Sequence, residues 1–170
     1  MRSRLSSLGG EDREAMSRSI TERVLTSPEY LGAHSIFVYA SMREEPDTAS
    51  LIRFALSDGK SVYLPRIDGD RMDLVPYDAT TPTTINRYGI EEPQGAPTSA
   101  MPDLAVIPLL AFDRDKHRLG RGKGYYDRFL AGYSGHSIAL AFSVQEVDRV
   151  PTEDYDLSPQ VIFTDKERIG

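Results

Sequence analysis

Ser35-Ile-Phe-Val-Tyr-Ala40 is a short β-branched and aromatic run. It gives way to the polar stretch Met42 to Pro46, then to Asp47 and a segment carrying Leu51, Ile52, Phe54, Ala55 and Leu56. Gly59 and a further strand-like run from Ser61 to Leu64 follow. The run before the loop has strand character, and the apolar spacing after it is helical. Asp47 stands where a helix wants a capping carboxylate, and Gly59 where a left-handed residue ends one. Strand, loop, helix, strand is the unit from which parallel sheets are built, and it sets the expectation for the rest of the chain.

Outward from this unit the pattern repeats. Between Glu11 and Ser27, Ala15, Ile20, Val24 and Leu25, with Met16 beside them, recur at roughly helical spacing amid Glu and Arg, which predicts an amphipathic helix. Met72 to Val75 reads as a short strand, Leu104-Ala-Val-Ile107 as a buried strand closed by Pro108, and Ser137 to Phe142 and Val161 to Thr164 complete the set. The expected fold is α/β: one domain over residues 1–170, with a largely parallel sheet and helices on both faces. Pro76 to Pro102, rich in Thr, Pro and Gly, is too long for a mere connector and reads as a surface loop able to fold over a ligand.

Composition narrows the function classes. The chain of 170 residues has no cysteine, which removes thiolate catalysis and cysteine-bound zinc and fits a reducing compartment, so a cytoplasmic location is expected. No apolar run approaches the roughly 20 residues of a membrane helix, and no secretory signal stands at the N-terminus. A net charge of -6 opposes bulk attraction to nucleic acid, so any anion site must be local.

Such a site is legible in Arg118-Leu-Gly-Arg-Gly-Lys-Gly-Tyr-Tyr-Asp127. Gly120, Gly122 and Gly124 at alternate positions let backbone amides converge on phosphate oxygens, and an apolar helical segment with Phe129 and Leu130 follows. From Arg114 to Arg128 there are six Arg or Lys and two Asp, a local balance of +4 in an acidic chain. Taken alone, Gly-x-Gly-x-Gly is equally a glycine-rich turn among solvated basic residues. Neither a Walker pattern nor a dinucleotide fingerprint is present.

With its flanks the segment resembles the signature of the 5-formyltetrahydrofolate cyclo-ligase family. Phe112-Asp113 precedes it and Arg128-Phe-Leu130 continues it. Tyr39-Ala-Ser-Met-Arg-Glu-Glu45 with Asp47-Thr48, then Leu64-Pro65-Arg66, Met72-Asp73-Leu74 and Gly89-Ile-Glu-Glu-Pro93 lie upstream in order. Ala141-Phe142, Gln145, Pro151 and Asp156 lie downstream, so the likeness spans nearly the whole chain.

The resemblance implies ATP- and Mg2+-dependent conversion of 5-formyltetrahydrofolate to 5,10-methenyltetrahydrofolate with release of ADP and phosphate. By position it makes Arg118, Leu119, Gly120, Arg121, Gly122, Lys123, Gly124, Tyr125 and Tyr126 the nucleotide loop, with Arg121 and Lys123 on phosphate oxygens and Tyr125 near both substrates. Asp127 and Asp156 would hold magnesium, although Asp156 is also readable as a turn carboxylate. Ala40, Met42, Glu45, Tyr88 and Tyr125 would meet the reduced folate, Tyr88 by covering the pterin; Tyr88 also reads as core or loop packing, Met42 as plain core and Glu45 as a helix-entry acid. Glu44 is expected to be merely solvated, and His34, His117 and His136 are given no role.

The family's Lys-x-x-Leu-Arg element before the first helix, which helps hold ATP, has no counterpart. By register Met1 falls beyond it, leaving Arg2 and Arg4 as the nearby substitutes. That departure implies a chain start placed downstream or weaker nucleotide binding. It keeps open a folate- or nucleotide-binding paralogue without turnover. The expected partners are reduced folate and ATP, with no nucleic acid and no membrane, in a monomer or weak dimer.

Overall fold

The computed structural model describes residues 1–170. In chain order the elements are α1 (Arg2–Ser6), α2 (Gly10–Leu25), α3 (Pro28–Leu31), β1 (Ser35–Val38), α4 (Ala49–Ser57), β2 (Ser61–Asp68) and β3 (Arg71–Tyr77). Then come β4 (Thr83–Ile85), β5 (Glu91–Pro93), β6 (Leu104–Ile107), β7 (Ala111–Phe112), β8 (Arg118–Leu119), α5 (Tyr125–Ala131), β9 (His136–Leu140), β10 (Val161–Phe163) and β11 (Arg168–Ile169). Seven strands form one sheet in the order β11-β10-β9-β6-β1-β2-β3. The pairings from β2 through β1, β6 and β9 to β10 are parallel, and the two outermost, β2 with β3 and β10 with β11, are antiparallel.

Alternation along the strands divides the core into two layers, because successive side chains leave a strand on opposite faces. Ile36 and Val38, Leu104 and Val106, Ile138 and Leu140, and Val161 and Phe163 join Leu5, Ile20, Val24, Leu51 and Ala55 from the helices of one face. Phe37, Ala105, Ile107, Ala139 and Ile162 face the other way, against Leu130 of α5 with Phe129, Tyr126 and Tyr133 packed beside it. A fully buried leucine such as Leu51 contributes about 2 kcal/mol. On the second face Ala105, Ala139 and Ala141 leave room that α5 fills with aromatic rings. Phe129 meets Phe37 edge to face at 5.1 Å.

Several expectations are corrected. Ser61–Leu64 and Met72–Val75 are parts of longer strands: β2 and β3 form a hairpin registered from Val62↔Tyr77 to Asp68↔Arg71. Charged residues within the hairpin hide its length from an apolar pattern. The first strand ends at Val38, and the strand expected over Ser137 to Phe142 ends at Leu140. The helix expected to reach Ser27 stops at Leu25, and Ser27 accepts from the Tyr30 amide to start α3. Asp47 stands one residue outside the α4 N-cap, Thr48, yet its Oδ1 accepts from the Ala49 amide at 2.9 Å. The α1 helix, unmarked by any apolar period, is anchored by the buried Leu5.

Pro76 to Pro102 is a folded element rather than a free loop. Within it β4 and β5 pair antiparallel. The Glu92 carboxylate accepts from the Ile67 amide at 2.8 Å, and Arg66 donates to the carbonyls of Pro93 and Gly95, so the small hairpin is fastened to β2. No helix is long and apolar enough to cross a membrane.

The turn from β7 to β8 contains the one non-glycine residue with positive φ, Lys116 at 67°. Lys116→Gly is expected to raise stability by about 0.5–1 kcal/mol and the β-branched Lys116→Val to lower it by about 1–2 kcal/mol. Urea denaturation of the two variants checks this; the same sign for both would refute the strain.

Candidate active site

The crevice follows from topology. From β1 the chain passes through α4 to β2 on one side of the sheet. From β6 it passes through β7, β8 and α5 to β9 on the other side. Right-handed crossovers in opposite directions put α4 and α5 on opposite faces, so the loops leaving the carboxyl ends of neighbouring β1 and β6 diverge and open a cleft.

The β1 wall is stiff. Tyr39 is buried and its hydroxyl donates to the Pro46 carbonyl at 2.8 Å; the Thr48 hydroxyl donates to the Tyr39 carbonyl at 2.8 Å. Within this loop Glu45 is 6% exposed and accepts from the Met42 amide at 3.1 Å. Burial pushes its carboxyl up to about 7; the Met42 amide and Arg121 pull the other way, and Glu44 adds to the rise. Ala40 and Met42 are half-buried on the same loop.

The β6 wall is the glycine segment. Gly122 and Gly124 have φ of 98° and 72°, backbone that side chains resist, and Gly124 is the N-cap of α5. Beneath the loop lies Arg118, 8% exposed, whose Nε donates to the Pro108 carbonyl at 2.8 Å and whose Nη1 reaches Asp127 at 3.3 Å. Its guanidinium lies 5.8 Å from the Tyr126 ring. Burial pulls its pKa down, opposed by Asp127, Tyr126 and Asp156. A side chain at Gly120 would meet this guanidinium at 3.2 Å, so glycine there fits a close approach. Arg118 is thus a strut under the loop, engaged through Nε and Nη1. Leu119 and Lys123 are exposed.

The two tyrosines part. The Tyr125 hydroxyl donates to the Gly69 carbonyl at 2.7 Å in the β2–β3 turn, while Tyr126 is stacked on Phe37 at 6.3 Å beneath the cleft. Burial, with the negative charge of Glu45, holds the Tyr126 phenol well above its usual range. Of the two, Tyr126 is electrostatically tied to Glu45; adjacent identical letters gave no sign of which would turn inward.

Glu44, expected to be merely solvated, instead accepts from Arg121 Nη1 at 3.1 Å and joins the two walls. Nothing in the local sequence pairs residues so far apart. Tyr88 stands half-exposed at the tip between β4 and β5, its ring 4.9 Å from the Arg87 guanidinium.

For a divalent cation the donor set is carboxylate. Asp127 gives one oxygen to Arg118, and Asp156 gives Oδ2 to the Glu153 amide at 2.7 Å, so each keeps an oxygen clear of these bonds, the hard-donor chemistry magnesium takes. A different trio, Asp113, Asp115 and His117, lies close together although its spacing carries no ligand pattern. Asp113 is already satisfied there: it accepts from the amides of Asp115, His117 and Val150 and contacts His117 Nδ1 at 3.0 Å. Those bonds build a turn rather than leave a free ligand. Two surface depressions of 280 and 350 Å³ are lined by none of the cleft residues.

A family model described as "5-formyltetrahydrofolate cyclo-ligase family" matches residues 1–165. The 5-formyltetrahydrofolate cyclo-ligase of Escherichia coli (strain K12) is 30% identical over 174 residues, covering 96% of this chain and 96% of its own length. That of Mus musculus is 29% identical over 183 residues, covering 97% and 90%. The NMR structure of Aquifex aeolicus 5,10-methenyltetrahydrofolate synthetase superposes with a TM-score of 0.86 at 28% identity, over 97% of this chain and 86% of that one.

Proposed function

The chain belongs to the 5-formyltetrahydrofolate cyclo-ligase family, and from that membership we propose that residues 1–170 act as one cyclo-ligase domain converting 5-formyltetrahydrofolate to 5,10-methenyltetrahydrofolate with ATP. The observation that carries the reading is the meeting, at one cleft, of a buried acid and a glycine-rich basic loop: Glu45 on one wall and Arg121 on the other, with Glu44 between them.

The chemistry asks for what these residues offer. A formamide oxygen is a poor leaving group. Transfer of the γ-phosphoryl group to that oxygen releases ADP and leaves a phosphate ester on an imidate-like carbon. N10 of the same folate attacks that carbon, N10 loses its proton, and phosphate departs with the oxygen as the ring closes. Each nucleophile belongs to a substrate, so the protein's part is positioning and charge neutralisation.

Arg121 and Lys123 neutralise phosphate oxygens, with the amides of Gly120 to Gly124 lining the loop. Asp127 and Asp156 would hold magnesium, which supplies further neutralisation of polyphosphate charge. Glu45, protonated up to about pH 7 by burial, donates to or accepts from the folate's reacting nitrogens or pterin ring as its proton allows. Tyr126 backs it from below, and Ala40 and Met42 flank it.

The test is the absorbance of methenyltetrahydrofolate when purified protein meets 5-formyltetrahydrofolate with and without Mg-ATP. Product that requires ATP, with equal amounts of ADP and phosphate, is expected. Binding of both substrates without product would favour a non-catalytic paralogue. Arg4, the nearby substitute for the absent basic element, donates through Nη1 to the carbonyls of Val144 and Glu146.

A further inference from the structure

Arg121 is held from across the cleft. Its Nη1 donates to Glu44 Oε1 at 3.1 Å, in a pair whose side chains are 23% and 37% exposed. Its Nη2 is shielded from solvent and has no hydrogen-bond partner. A guanidinium presents parallel donors suited to two oxygens at once, and here a carboxylate engages one of them. The pair is under-satisfied by the geometry that makes arginine a good phosphate ligand.

The two partners differ in freedom. Glu44 sits on a loop stitched to itself by the bonds Tyr39 to Pro46, Thr48 to Tyr39 and Met42 to Glu45. Arg121 lies between Gly120 and Gly122, the latter at φ 98°. If the pair opens, Arg121 is the member that moves.

We propose that Glu44 is a positioning residue: it holds Arg121 against the folate-side wall in the free protein and yields it to phosphate oxygens when nucleotide enters, so that the guanidinium exchanges one anion for another. The proposal rests on the assignment of Arg121 to the phosphates. Glu44 then acts through Arg121 and touches neither substrate itself, and opening the pair weakens nucleotide binding in the wild type.

A double-mutant cycle read by calorimetry with a non-hydrolysable ATP analogue and Mg2+ tests this. Glu44→Gln is expected to tighten binding about three- to fivefold, the upper part of the range of a partly exposed ion pair. In an Arg121→Gln background the same change should alter binding by less than about twofold. Equal tightening in both backgrounds would mean general repulsion of phosphate by Glu44 and would overturn the exchange, as would no tightening at all. If Arg121→Gln by itself leaves binding unchanged, the nucleotide assignment fails and the exchange with it. If Arg121→Gln weakens binding while Glu44→Gln does nothing, the exchange alone falls.

Discussion

Lys123→Ala is expected to lower turnover at least about a hundredfold and leave thermal stability unchanged, whereas Asp127→Ala is expected to lose both. Lys123 is exposed on the glycine loop, so truncating it removes a charge from the reaction and nothing from the core. Removing one preorganised donor or cation from a transition state commonly costs about 10²–10³ in rate. Asp127 differs because its carboxylate also faces the buried Arg118 at 3.3 Å. Alanine there leaves a guanidinium in a poorly solvated place with less counter-charge, which costs about 2–3 kcal/mol, or about 5–10 °C in melting temperature for a chain of this size. Asp127→Asn keeps an acceptor for Arg118 and separates the roles: most of the stability should return while turnover stays low. Full turnover in Lys123→Ala and Asp127→Asn would sink the nucleotide-loop assignment. An unshifted melting curve for Asp127→Ala would sink the strut.

Glu45→Gln is expected to be the less active protein and, above neutrality, the more stable one. The unfolded carboxyl ionises near 4.5, but burial keeps the native one protonated to about pH 7. Between those values the native state binds more protons than the unfolded state, so the wild type loses stability as pH rises through the interval. Below about pH 4.5 the contribution is complete, and above about 7 the loss is at its full size of roughly 3 kcal/mol. Glutamine cannot ionise, so the variant lacks that slope, and denaturation curves at pH 5 and pH 8 should show the difference in wild type alone. Turnover should fall about 10- to 100-fold, the worth of a hydrogen bond to a charged group, with the folate response changed more than the KM for ATP. A wild-type stability that stays flat from pH 5 to 8 would contradict the buried acid.

The opening unit shows what local pattern can deliver. Ser35 to Val38, the Leu51 and Ala55 stripe and the strand after Gly59 announce a parallel β-α-β crossover because burial on both faces forces continuous apolar strands. Leu104 to Ile107 is apolar throughout for the same reason. The glycine spacing from Gly120 to Gly124 was equally legible, since positive φ at two of the three demands residues without a Cβ. The full length and antiparallel pairing of β2 and β3, and the strands β4 and β5, were not, because their charged residues break the apolar pattern and the small hairpin is fastened by bonds such as Ile67 to Glu92 that no period encodes.

Sequence by itself determined the α/β class, the family resemblance and the residue types of the cleft, because those depend on periodicity, backbone tolerance and chemical identity, which are local properties of the chain. Tertiary structure alone decided that Arg118 lies beneath the loop, that Tyr126 rather than Tyr125 packs inward on Phe37, and that Glu44 holds Arg121 across 77 positions of sequence. The physical reason is that burial and charge pairing are set by which segments the crossovers bring together, and a side chain's partner, unlike its character, is not written in its neighbours.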